Sequence, residues 1–259
     1  MAHPKTALVT GSTSGIGLAV AEALAGSGTR VMLNGLGTPA QIEAARAKVG
    51  AYGVEVDFNG ADLSTAAGVE GLIRATEARF GAIDVLINNA GIQHTARIEN
   101  FPAERWDAIL AINLTAAFHA LRCALPGMQA RGAGRIINIA SVHGLVASVE
   151  KSAYVAAKHG ILGLTKVTAL ENAESGITCN AICPGWVLTP LVQKQIDARA
   201  ERDGLSATDA ERALLAEKQP SLRFTRPEDI GGAVLFLCGP AADNITGSTI
   251  TLDGGWSAR

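Results

Sequence analysis

A serine, a tyrosine and a lysine that could carry out acid–base chemistry occur close together in this sequence. Ser141 follows the apolar run IINIA, and Tyr154 and Lys158 stand four residues apart in YVAAK. If the chain is helical from Ser152 onward, Tyr154 and Lys158 lie on one face of the helix. A phenol titrates near pH 10, but an opposite charge within about 4 to 6 Å lowers its pKa by roughly one to three units. The pattern therefore predicts that Tyr154 acts as a general base on an alcohol, or as a general acid on a ketone, near neutral pH.

Two polar residues could support this tyrosine. The hydroxyl of Ser141 would donate a hydrogen bond to the reacting oxygen, and Asn113, in AINLT, places a polar group in an otherwise apolar helix. A Tyr-x-x-x-Lys pair alone is also typical of an ordinary helix surface. The prediction therefore depends on the other motifs of the chain.

Four further side chains are predicted to converge on one side of the same crevice as hydrogen-bond donors. They are Gln93, His143, Lys151 and Gln195. One cation and three hydrogen-bonding groups suit a small carboxylate, because an anion buried without partners is strongly disfavoured. Trp186 and Trp256 would then wall a pocket too small for a steroid or an acyl carrier arm.

Each of these residues also has a structural alternative. Lys151 could be a solvated charge at the start of a helix, and His143 could be a turn residue whose nitrogens are satisfied locally. The two tryptophans could belong to the core or to an interface.

Seven strand-like runs must position these residues: TALVTG, RVMLNG, VEVDF, DVLINNAG, GRIINIAS, ITCNAICPG and STITLDGG. All but the last two are followed by a helical pattern, and this alternation is typical of βαβ units around a buried parallel sheet. We expect an α/β fold, a doubly wound Rossmann-type sandwich with a seven-stranded parallel sheet, helices on both faces and a helical substrate lid. Residues 1–259 would form a single domain.

One long charged segment departs from this alternation. Residues 191–224 follow PGWVLTP at the end of a predicted strand, and their pattern indicates two helices around Gly204. We interpret the segment as a lid insertion that covers the site. A peripheral surface insertion is the alternative.

The first predicted strand runs into a glycine-rich turn. Its glycines are Gly11, Gly15 and Gly17, in LVTGSTSGIGLAV. Glycines allow a tight turn and let backbone N–H groups and a helix N-terminus approach a pyrophosphate. Asp62 and Leu63 follow the third strand, where the carboxylate could hold an adenine amino group, and NNAG, residues 88–91, ends the fourth. Each motif could be an ordinary turn, but the three together indicate a dinucleotide site.

The end of the second predicted strand bears on the choice of cofactor. It reads Asn34, Gly35, Leu36 and Gly37, so the acidic residue that usually binds the ribose of NAD is missing. No Arg or Lys stands there or beside Gly15 to pair with a 2′-phosphate. The balance favours NAD.

Composition and charge argue against several other partners. The 22 basic and 24 acidic residues give a formal net charge of -2, which supplies no basic field for nucleic acid or an anionic membrane. No apolar run approaches the ~20 residues of a membrane span, and the first residues lack the pattern of a secretory signal. The four scattered cysteines predict reduced, buried thiols rather than a metal site, and we expect a cytoplasmic location.

The motifs TGSTSGIG, NNAG, YVAAK and PGWVLTP, together with Asn113 and Ser141, have the order and spacing of a known family. They resemble the short-chain dehydrogenase/reductase family over essentially the whole chain. The resemblance implies that Tyr154 exchanges the proton, Ser141 orients the substrate oxygen, Lys158 lowers the tyrosine pKa and binds the nicotinamide ribose, and Asn113 holds a water in a proton relay. It also implies hydride transfer at nicotinamide C4 and a homotetramer whose subunits pair through the helices that contain Asn113 and Tyr154.

The same resemblance implies a set of residues that contact the cofactor. They are Gly11, Ser12, Thr13, Gly15, Ile16, Gly17, Leu36, Asp62, Leu63, Asn89, Ala90, Gly91, Tyr154, Lys158, Pro184, Gly185, Val187 and Thr189.

The substrate-side motifs GIQH, SVHGLVAS, EKSAY and PGWVLTPLV look like those of the bacterial D-3-hydroxybutyrate dehydrogenases within that family. This resemblance implies oxidation of (R)-3-hydroxybutyrate to acetoacetate with NAD. Gln93, His143, Lys151 and Gln195 would bind the carboxylate, and the lid would close on the ligand.

Two other functions remain open at this point. A reductase of 3-oxoacyl thioesters or of another small keto compound would be expected to prefer NADPH and to carry a basic residue on the ribose side, which is not found. A nucleotide-sensing or scaffolding protein without catalysis would be favoured by the loss of the Tyr, Lys or Ser, and all three are present.

Overall fold

A parallel sheet forms the centre of the part of the chain that the structure describes. The computed structural model describes residues 5–258, apart from the side chains of residues 190 and 191. The strands in this range are β1 (Thr6–Val9), β2 (Arg30–Asn34), β3 (Val56–Asn59), β4 (Val85–Asn88), β5 (Gly134–Ile139), β6 (Ile177–Pro184) and β7 (Thr249–Leu252). All pair in parallel, in the order β3-β2-β1-β4-β5-β6-β7. The predicted seven-stranded sheet is confirmed.

Helices cover both faces of this sheet. Within residues 5–258 they are α1 (Gly15–Gly26), α2 (Pro39–Gly50), α3 (Ala66–Phe80), α4 (Ala103–Leu110), α5 (Ala116–Arg131), α6 (Ser152–Glu171), α7 (Pro190–Asp203), α8 (Ala207–Ala216) and α9 (Pro227–Cys238). Successive residues of β1 enter opposite cores, because side chains alternate along a strand. Val9 packs in the core that contains Val20 of α1, and Leu8 packs in the core that contains Leu72 of α3. The predicted doubly wound α/β sandwich is therefore confirmed.

The strand order reverses between β1 and β4. The chain moves from β1 outward to β2 and β3, and then returns to β4 on the other side of β1. In doubly wound sheets a crevice forms at such a reversal, beyond the carboxyl ends of the strands. The glycine turn after β1 and the NNAG turn after β4 both lie there, as the βαβ pattern predicts.

Asn113 lies in a short widened stretch of helix. A π-helical segment, Ala111–Thr115, joins α4 to α5 without a break. Asn113 is buried, its Nδ2 donates to the Ile92 carbonyl (3.0 Å), and its Oδ1 accepts from the Ile92 N–H (2.8 Å). The predicted helix around Asn113 is thus present, with a local bulge that is typical of functional positions.

The continuous helical stretch Ala103–Arg131 is long and apolar enough, by length and hydropathy alone, to cross a membrane. The sequence contains no uninterrupted apolar run at this stretch, because Thr115, His119 and Arg122 lie within it, so the sequence alone did not indicate it. Of its most apolar window, 39% is buried inside the protein. Core helices of globular proteins meet the same criterion, so the observation is weak evidence for a membrane.

The region predicted as a lid contains two helices, α7 and α8, as expected. Gly204 ends α7 at φ +63°, a left-handed conformation that glycine adopts without strain. Val192 and Ile196 of α7 pack against Leu214 of α8, and the partly buried Trp186 joins this cluster. At the base, Val187 bridges to Thr225, and the Thr225 N–H donates to the Trp186 carbonyl (2.9 Å). The two ends of the segment are therefore fastened together beside β6.

Helix α9 follows the segment predicted as a lid, and α9 itself was not predicted. The expectation that no helical pattern other than the lid follows the sixth strand was wrong. Adjacent Gly231 and Gly232 weaken the helical signal in the sequence. A Cβ atom on Gly231 would lie 2.9 Å from the Cβ of Ala23, so this glycine allows α9 to pack closely on α1.

The cysteines are free thiols, and three of them are buried: Cys179, Cys183 and Cys238. Cys123 is only half-buried, because α5 exposes one of its sides to solvent. Among residues 5–258, no group of three or more His, Cys, Asp or Glu side chains is arranged to hold a metal ion.

Candidate active site

A cavity of about 460 Å³ lies in the crevice at the carboxyl ends of β1, β2 and β4. Of the residues predicted to contact a cofactor, the following line it: Gly11, Thr13, Ile16, Gly17, Leu36, Asp62, Leu63, Asn89, Ala90, Gly91, Tyr154, Lys158 and Thr189. The fold therefore brings together the ends of four different strands, the glycine turn and α6.

The glycine turn is locked against the end of β4. Gly11 and Gly15 have φ of +63° and +55°, and a Cβ on Gly17 would lie 2.3 Å from the Gly11 carbonyl oxygen. The Nδ2 of Asn89 donates to the carbonyls of Thr10 (2.8 Å) and Gly11 (3.0 Å). Helix α1 begins at Gly15 without a side-chain cap, which leaves N–H groups of its first turn able to bind an anion.

Ser12 is placed differently from the prediction. Its side chain is fully buried beneath the turn, and Oγ donates to the carbonyls of Val9 (2.7 Å) and Asn34 (3.2 Å). The Asn34 N–H in turn donates to Ser12 Oγ (3.1 Å). The Ser12 side chain therefore joins the glycine turn to β2 and does not line the cavity.

Four other predicted contacts also lie off the large cavity. Pro184, Gly185 and Val187 line a neighbouring cavity instead. Gly15 is not among the lining residues, and a Cβ placed on it would lie 3.6 Å from Thr189.

The end of β2 is neutral and closely packed. Asn34 is buried, and its Nδ2 donates to the carbonyls of Asn59 (2.9 Å) and Ala61 (3.1 Å). A Cβ on Gly35 would lie 2.9 Å from Thr13 Oγ1, which donates to the Leu36 carbonyl (2.7 Å). Leu36 itself is 87% exposed at the rim of the cavity. An exposed leucine of this kind is suited to cover an apolar or aromatic group of a ligand.

Asp62 follows β3 at the same rim. Its carboxylate accepts from the N–H (2.8 Å) and the hydroxyl (2.8 Å) of Ser64, and these bonds lower the pKa of Asp62. The side chain is therefore ionised at neutral pH and held in one orientation.

The predicted acid–base residues meet where the two cavities adjoin. Ser141 lies two residues beyond the end of β5 and caps a short 3₁₀ turn, and Tyr154 and Lys158 come from the first two turns of α6. The ammonium nitrogen of Lys158 lies 5.6 Å from the centre of the Tyr154 ring and donates to the Ile139 carbonyl (2.8 Å). A separate cavity of about 10 Å³ touches both Asn113 and Lys158, which is close to the smallest volume that holds one water.

Burial dominates the ionisation of this group. Burial raises the pKa of Tyr154, and a hydrogen bond with Ser141 offsets only part of this rise. Burial also lowers the pKa of Lys158 to about 8. The sequence predicted a lowered pKa for Tyr154, but the net shift is upward, because burial is its largest cause.

The residues predicted to bind a substrate share one cavity of about 140 Å³. Its lining includes Gln93, Ser141, His143, Lys151, Tyr154, Trp186, Gln195 and Trp256. Val142 and Val192 also line this cavity, and they were not predicted. Both are ordinary apolar residues with no distinguishing pattern in the sequence.

Aromatic rings organise the walls of this second cavity, in which the predicted substrate-binding residues lie. The ring of Trp256 lies 5.2 Å from that of His143 and 5.9 Å from that of Trp186, measured between centroids. His143 in turn lies 6.0 Å from Tyr154, edge to face. Trp256 is also a buried core residue, and Trp186 packs against the cluster of α7 and α8, so the two tryptophans fit the structural alternative as well as the cavity.

His143 and Lys151 are not ordinary turn and surface residues. His143 is 3% exposed, and its Nδ1 has no hydrogen-bond partner among residues 5–258. Burial, followed by the charges of Lys151, Lys218 and His159, lowers the pKa of His143 to about 3, so the ring is neutral. Burial and then Lys218 lower the pKa of Lys151 to about 8, which leaves it mainly cationic at pH 7. The cavity therefore offers one cation and neutral polar groups.

Residues 5–200 match the family described as short chain dehydrogenase. The chain belongs to this family, and it is an oxidoreductase of the short-chain dehydrogenase type.

Relatives with closely similar sequences carry a more specific description. A D-beta-hydroxybutyrate dehydrogenase of Cupriavidus necator is 57% identical over 259 residues, covering 100% of both chains. A D-beta-hydroxybutyrate dehydrogenase of Rhizobium meliloti is 49% identical and covers 98% of this chain and 99% of its own. Among solved structures, an actinorhodin polyketide ketoreductase with NADPH superposes with a TM-score of 0.92 at 35% identity, covering 99% of this chain and 98% of its own.

Proposed function

We propose that the protein catalyses the reversible NAD-dependent oxidation of (R)-3-hydroxybutyrate to acetoacetate. The observation that carries the proposal is the substrate cavity, in which Gln93, His143, Lys151 and Gln195 lie beside Ser141 and Tyr154. The relatives from Cupriavidus necator and Rhizobium meliloti support the same substrate.

The carboxylate would be held at the polar end of this cavity. Lys151 supplies the positive charge, and the amides of Gln93 and Gln195 supply neutral donors. The neutral His143 ring offers one N–H and adds no second charge. A volume of about 140 Å³ suits a small acid of this kind.

The chemistry would take place at the inner end, at Tyr154. During oxidation the phenolate of Tyr154 removes the hydroxyl proton, Ser141 donates a hydrogen bond to the same oxygen, and the carbinol hydrogen leaves as hydride. A nicotinamide held beside Tyr154 and Lys158 would supply the acceptor for this hydride. In the reverse direction Tyr154 returns the proton to the oxygen of acetoacetate.

The proton released to Tyr154 needs a route to solvent. Lys158, the cavity of about 10 Å³ and Asn113 form a sequence of neighbouring polar positions in an apolar surrounding. Asn113 would hold a single water there, and this water would relay the proton between Lys158 and further water.

The large cavity would hold the dinucleotide. The glycine turn and the start of α1 would bind the pyrophosphate, Leu36 would cover the adenine side, and Asn89, Tyr154 and Lys158 would bind the nicotinamide half. NAD is favoured over NADP because no Arg or Lys among the described lining residues is placed at the end of β2.

The remaining proposals concern the whole chain. Residues 1–259 would act as one domain with residues 191–224 as a closing lid, in the cytoplasm, without nucleic-acid or membrane partners. A homotetramer is supported by large apolar side chains that α5 and α6 leave exposed: Phe118, Val167 and Leu170.

The test is direct. The purified protein is mixed with NAD and with each enantiomer of 3-hydroxybutyrate, and the absorbance of NADH is followed. We expect turnover of the R form only, and no turnover of either enantiomer would contradict the proposal.

Reduction of a 3-oxoacyl thioester or another small ketone is the second candidate. The similarity to a ketoreductase solved with NADPH favours it. Faster turnover of acetoacetyl thioester with NADPH than of acetoacetate with NADH would establish it in place of the first.

A further inference from the structure

A second lysine stands against the wall of the substrate cavity. The ammonium nitrogen of Lys218, just beyond α8, lies 5.2 Å from the centre of the Trp256 ring and donates a hydrogen bond to the hydroxyl of Ser148. Trp256 lines the cavity, whereas Lys218 is not among the lining residues. Lys218 therefore contacts a wall of the cavity from outside the set of side chains that would touch a substrate.

The two lysines are arranged in the same way on neighbouring tryptophans. Lys151 lies 5.6 Å from the centre of the Trp186 ring, and the rings of Trp186 and Trp256 are 5.9 Å apart. A cation on an indole face is stabilised by the ring quadrupole without an opposite charge. Each ring of the tryptophan pair therefore stabilises one lysine ammonium group.

No acidic side chain among the described lining residues offsets these charges. Glu217, next to Lys218 in the sequence, pairs with Arg199 of α7. Lys218 lowers the pKa of both Lys151 and His143, so its charge reaches the interior of the cavity. An anion in the cavity would relieve this repulsion between like charges.

We propose that Lys218 is a second specificity residue for the negative charge of the substrate, acting at a distance while Lys151 binds the carboxylate directly. This inference rests on the proposed hydroxy-acid substrate. Lys218 increases the affinity for a carboxylate over an uncharged group of similar size, and it takes no part in proton or hydride transfer.

A purely structural role must be separated from this electrostatic one. Ser148 lies in the loop that leads to Lys151, so the bond between Lys218 and Ser148 also ties the end of the lid to that loop. Ser148→Ala removes the tie and keeps the charge. Lys218→Met keeps apolar contact with Trp256 and removes the charge, and Lys218→Arg restores the charge.

The main experiment compares kcat/KM for (R)-3-hydroxybutyrate and for its uncharged methyl ester in the three variants. Lys218→Met should lower kcat/KM for the acid about three- to fivefold at low salt, mainly through KM, and should lower it less for the ester. High salt should reduce the difference from the parent enzyme. Lys218→Arg should restore kcat/KM for the acid. Lys5→Met, at the opposite end of the sheet, is the matched control for loss of one positive charge and should have no effect.

Two outcomes would overturn the proposal. In one, Lys218→Met weakens acid and ester equally. In the other, Ser148→Ala reproduces the full effect of Lys218→Met, which would make the tie to the loop the cause.

The pH dependence of carboxylate affinity is a further measurement, and it would not change if Lys218 had only a structural role. The titratable groups around Lys151 are His143 and Tyr154 in the cavity, Lys218 on the ring of Trp256, and the exposed Glu150 next to Lys151 in the sequence. Loss of Lys218 removes a like charge, so Lys151 should keep its proton to higher pH. The alkaline decline in carboxylate affinity should therefore move upward in Lys218→Met, and an unmoved decline would contradict the proposal.

Binding of butyrate separates this proposal from the proposed function. Butyrate carries the carboxylate without the hydroxyl, and the fluorescence of Trp186 and Trp256 should report its binding. If the parent enzyme does not oxidise 3-hydroxybutyrate but binds butyrate more tightly than Lys218→Met does, the proposed substrate is wrong and the role of Lys218 stands. If the two proteins bind butyrate equally, the role of Lys218 is wrong.

Discussion

The ammonium nitrogen of Lys151 lies 5.6 Å from the centre of the Trp186 ring, in a cavity whose described lining contains no acidic residue. The charge is therefore held by an aromatic face, and no ion pair must be broken before a carboxylate can bind. By contrast, Lys158 is 4% exposed and already donates to the Ile139 carbonyl. The two lysines have different surroundings, and this difference leads to separable effects on the kinetics.

Replacement of Lys151 should impair binding rather than chemistry. We expect Lys151→Ala to raise KM for 3-hydroxybutyrate about 10- to 100-fold, because a charge-assisted contact to the carboxylate is lost. Steady-state kinetics with the acid and with an uncharged secondary alcohol measure this. An equal loss for both substrates would argue against a carboxylate contact.

Replacement of Lys158 should have the opposite pattern. Lys158→Ala should lower kcat about 100-fold or more and shift its pH dependence upward, because the phenolate of Tyr154 loses its neighbouring cation. The pH profile of kcat is the measurement. A change confined to KM would contradict this role.

Carboxylate affinity should fall as the pH rises through about 8. Burial and Lys218 lower the pKa of Lys151 to about 8, so the ammonium group is present below that pH and is lost above it. Inhibition constants for butyrate, measured from pH 6.5 to 9.5, test the sign. The neutral His143, whose pKa is about 3, should contribute no step over this range.

The glycine turn should not tolerate a side chain at position 17. A Cβ there would lie 2.3 Å from the Gly11 carbonyl oxygen and 2.5 Å from Asn89 Nδ2. We expect Gly17→Ala to destabilise the protein by about 1 to 3 kcal/mol and to weaken NADH binding. Gly71→Ala is the matched control, because no atom lies within 4 Å of the added Cβ. This control in α3 should be stabilising by up to about 1 kcal/mol and should leave NADH binding unchanged.

Ser12 should affect stability more than cofactor binding. Ser12→Ala removes the buried hydrogen bonds of Ser12 Oγ with Val9 and Asn34, including the one that it accepts from the Asn34 N–H, and should lower the free energy of unfolding by about 1 to 2 kcal/mol. Thermal unfolding and NADH titration of the same variant measure both effects. A large loss of NADH affinity with unchanged stability would instead indicate that Ser12 contacts the cofactor directly.

The sequence predicted the architecture because its signals are local and repeated. Each strand is a short apolar run, and each junction carries glycine or a polar residue at the carboxyl end, so the crevice follows from the parallel arrangement alone. The convergence of Gln93, His143, Lys151 and Gln195 was harder to predict, because these residues come from three separate segments, and the family resemblance gave the stronger argument for it.

Other features had no signal in the sequence. Whether the Ser12 hydroxyl points into the crevice or beneath the turn depends on the distance to Asn34, which is a tertiary contact. Lys218 is one of several charged residues in the segment predicted as a lid, and only its contact with Trp256 indicates that it lies beside the cavity. The pKa of Tyr154 depends on burial, which the spacing of Tyr154 and Lys158 does not report.

The bridge between Val187 and Thr225 has a consequence for how such proteins diversify. Val187 lies just after β6 and Thr225 just before α9, so the segment between them has adjacent ends. An insertion or deletion in that segment, or its exchange for another segment, would need to preserve only the bridge. The contribution to substrate choice that we propose for Gln195 could therefore change with this segment alone, while the strands that lead to Ser141 and to the glycine turn stay as they are.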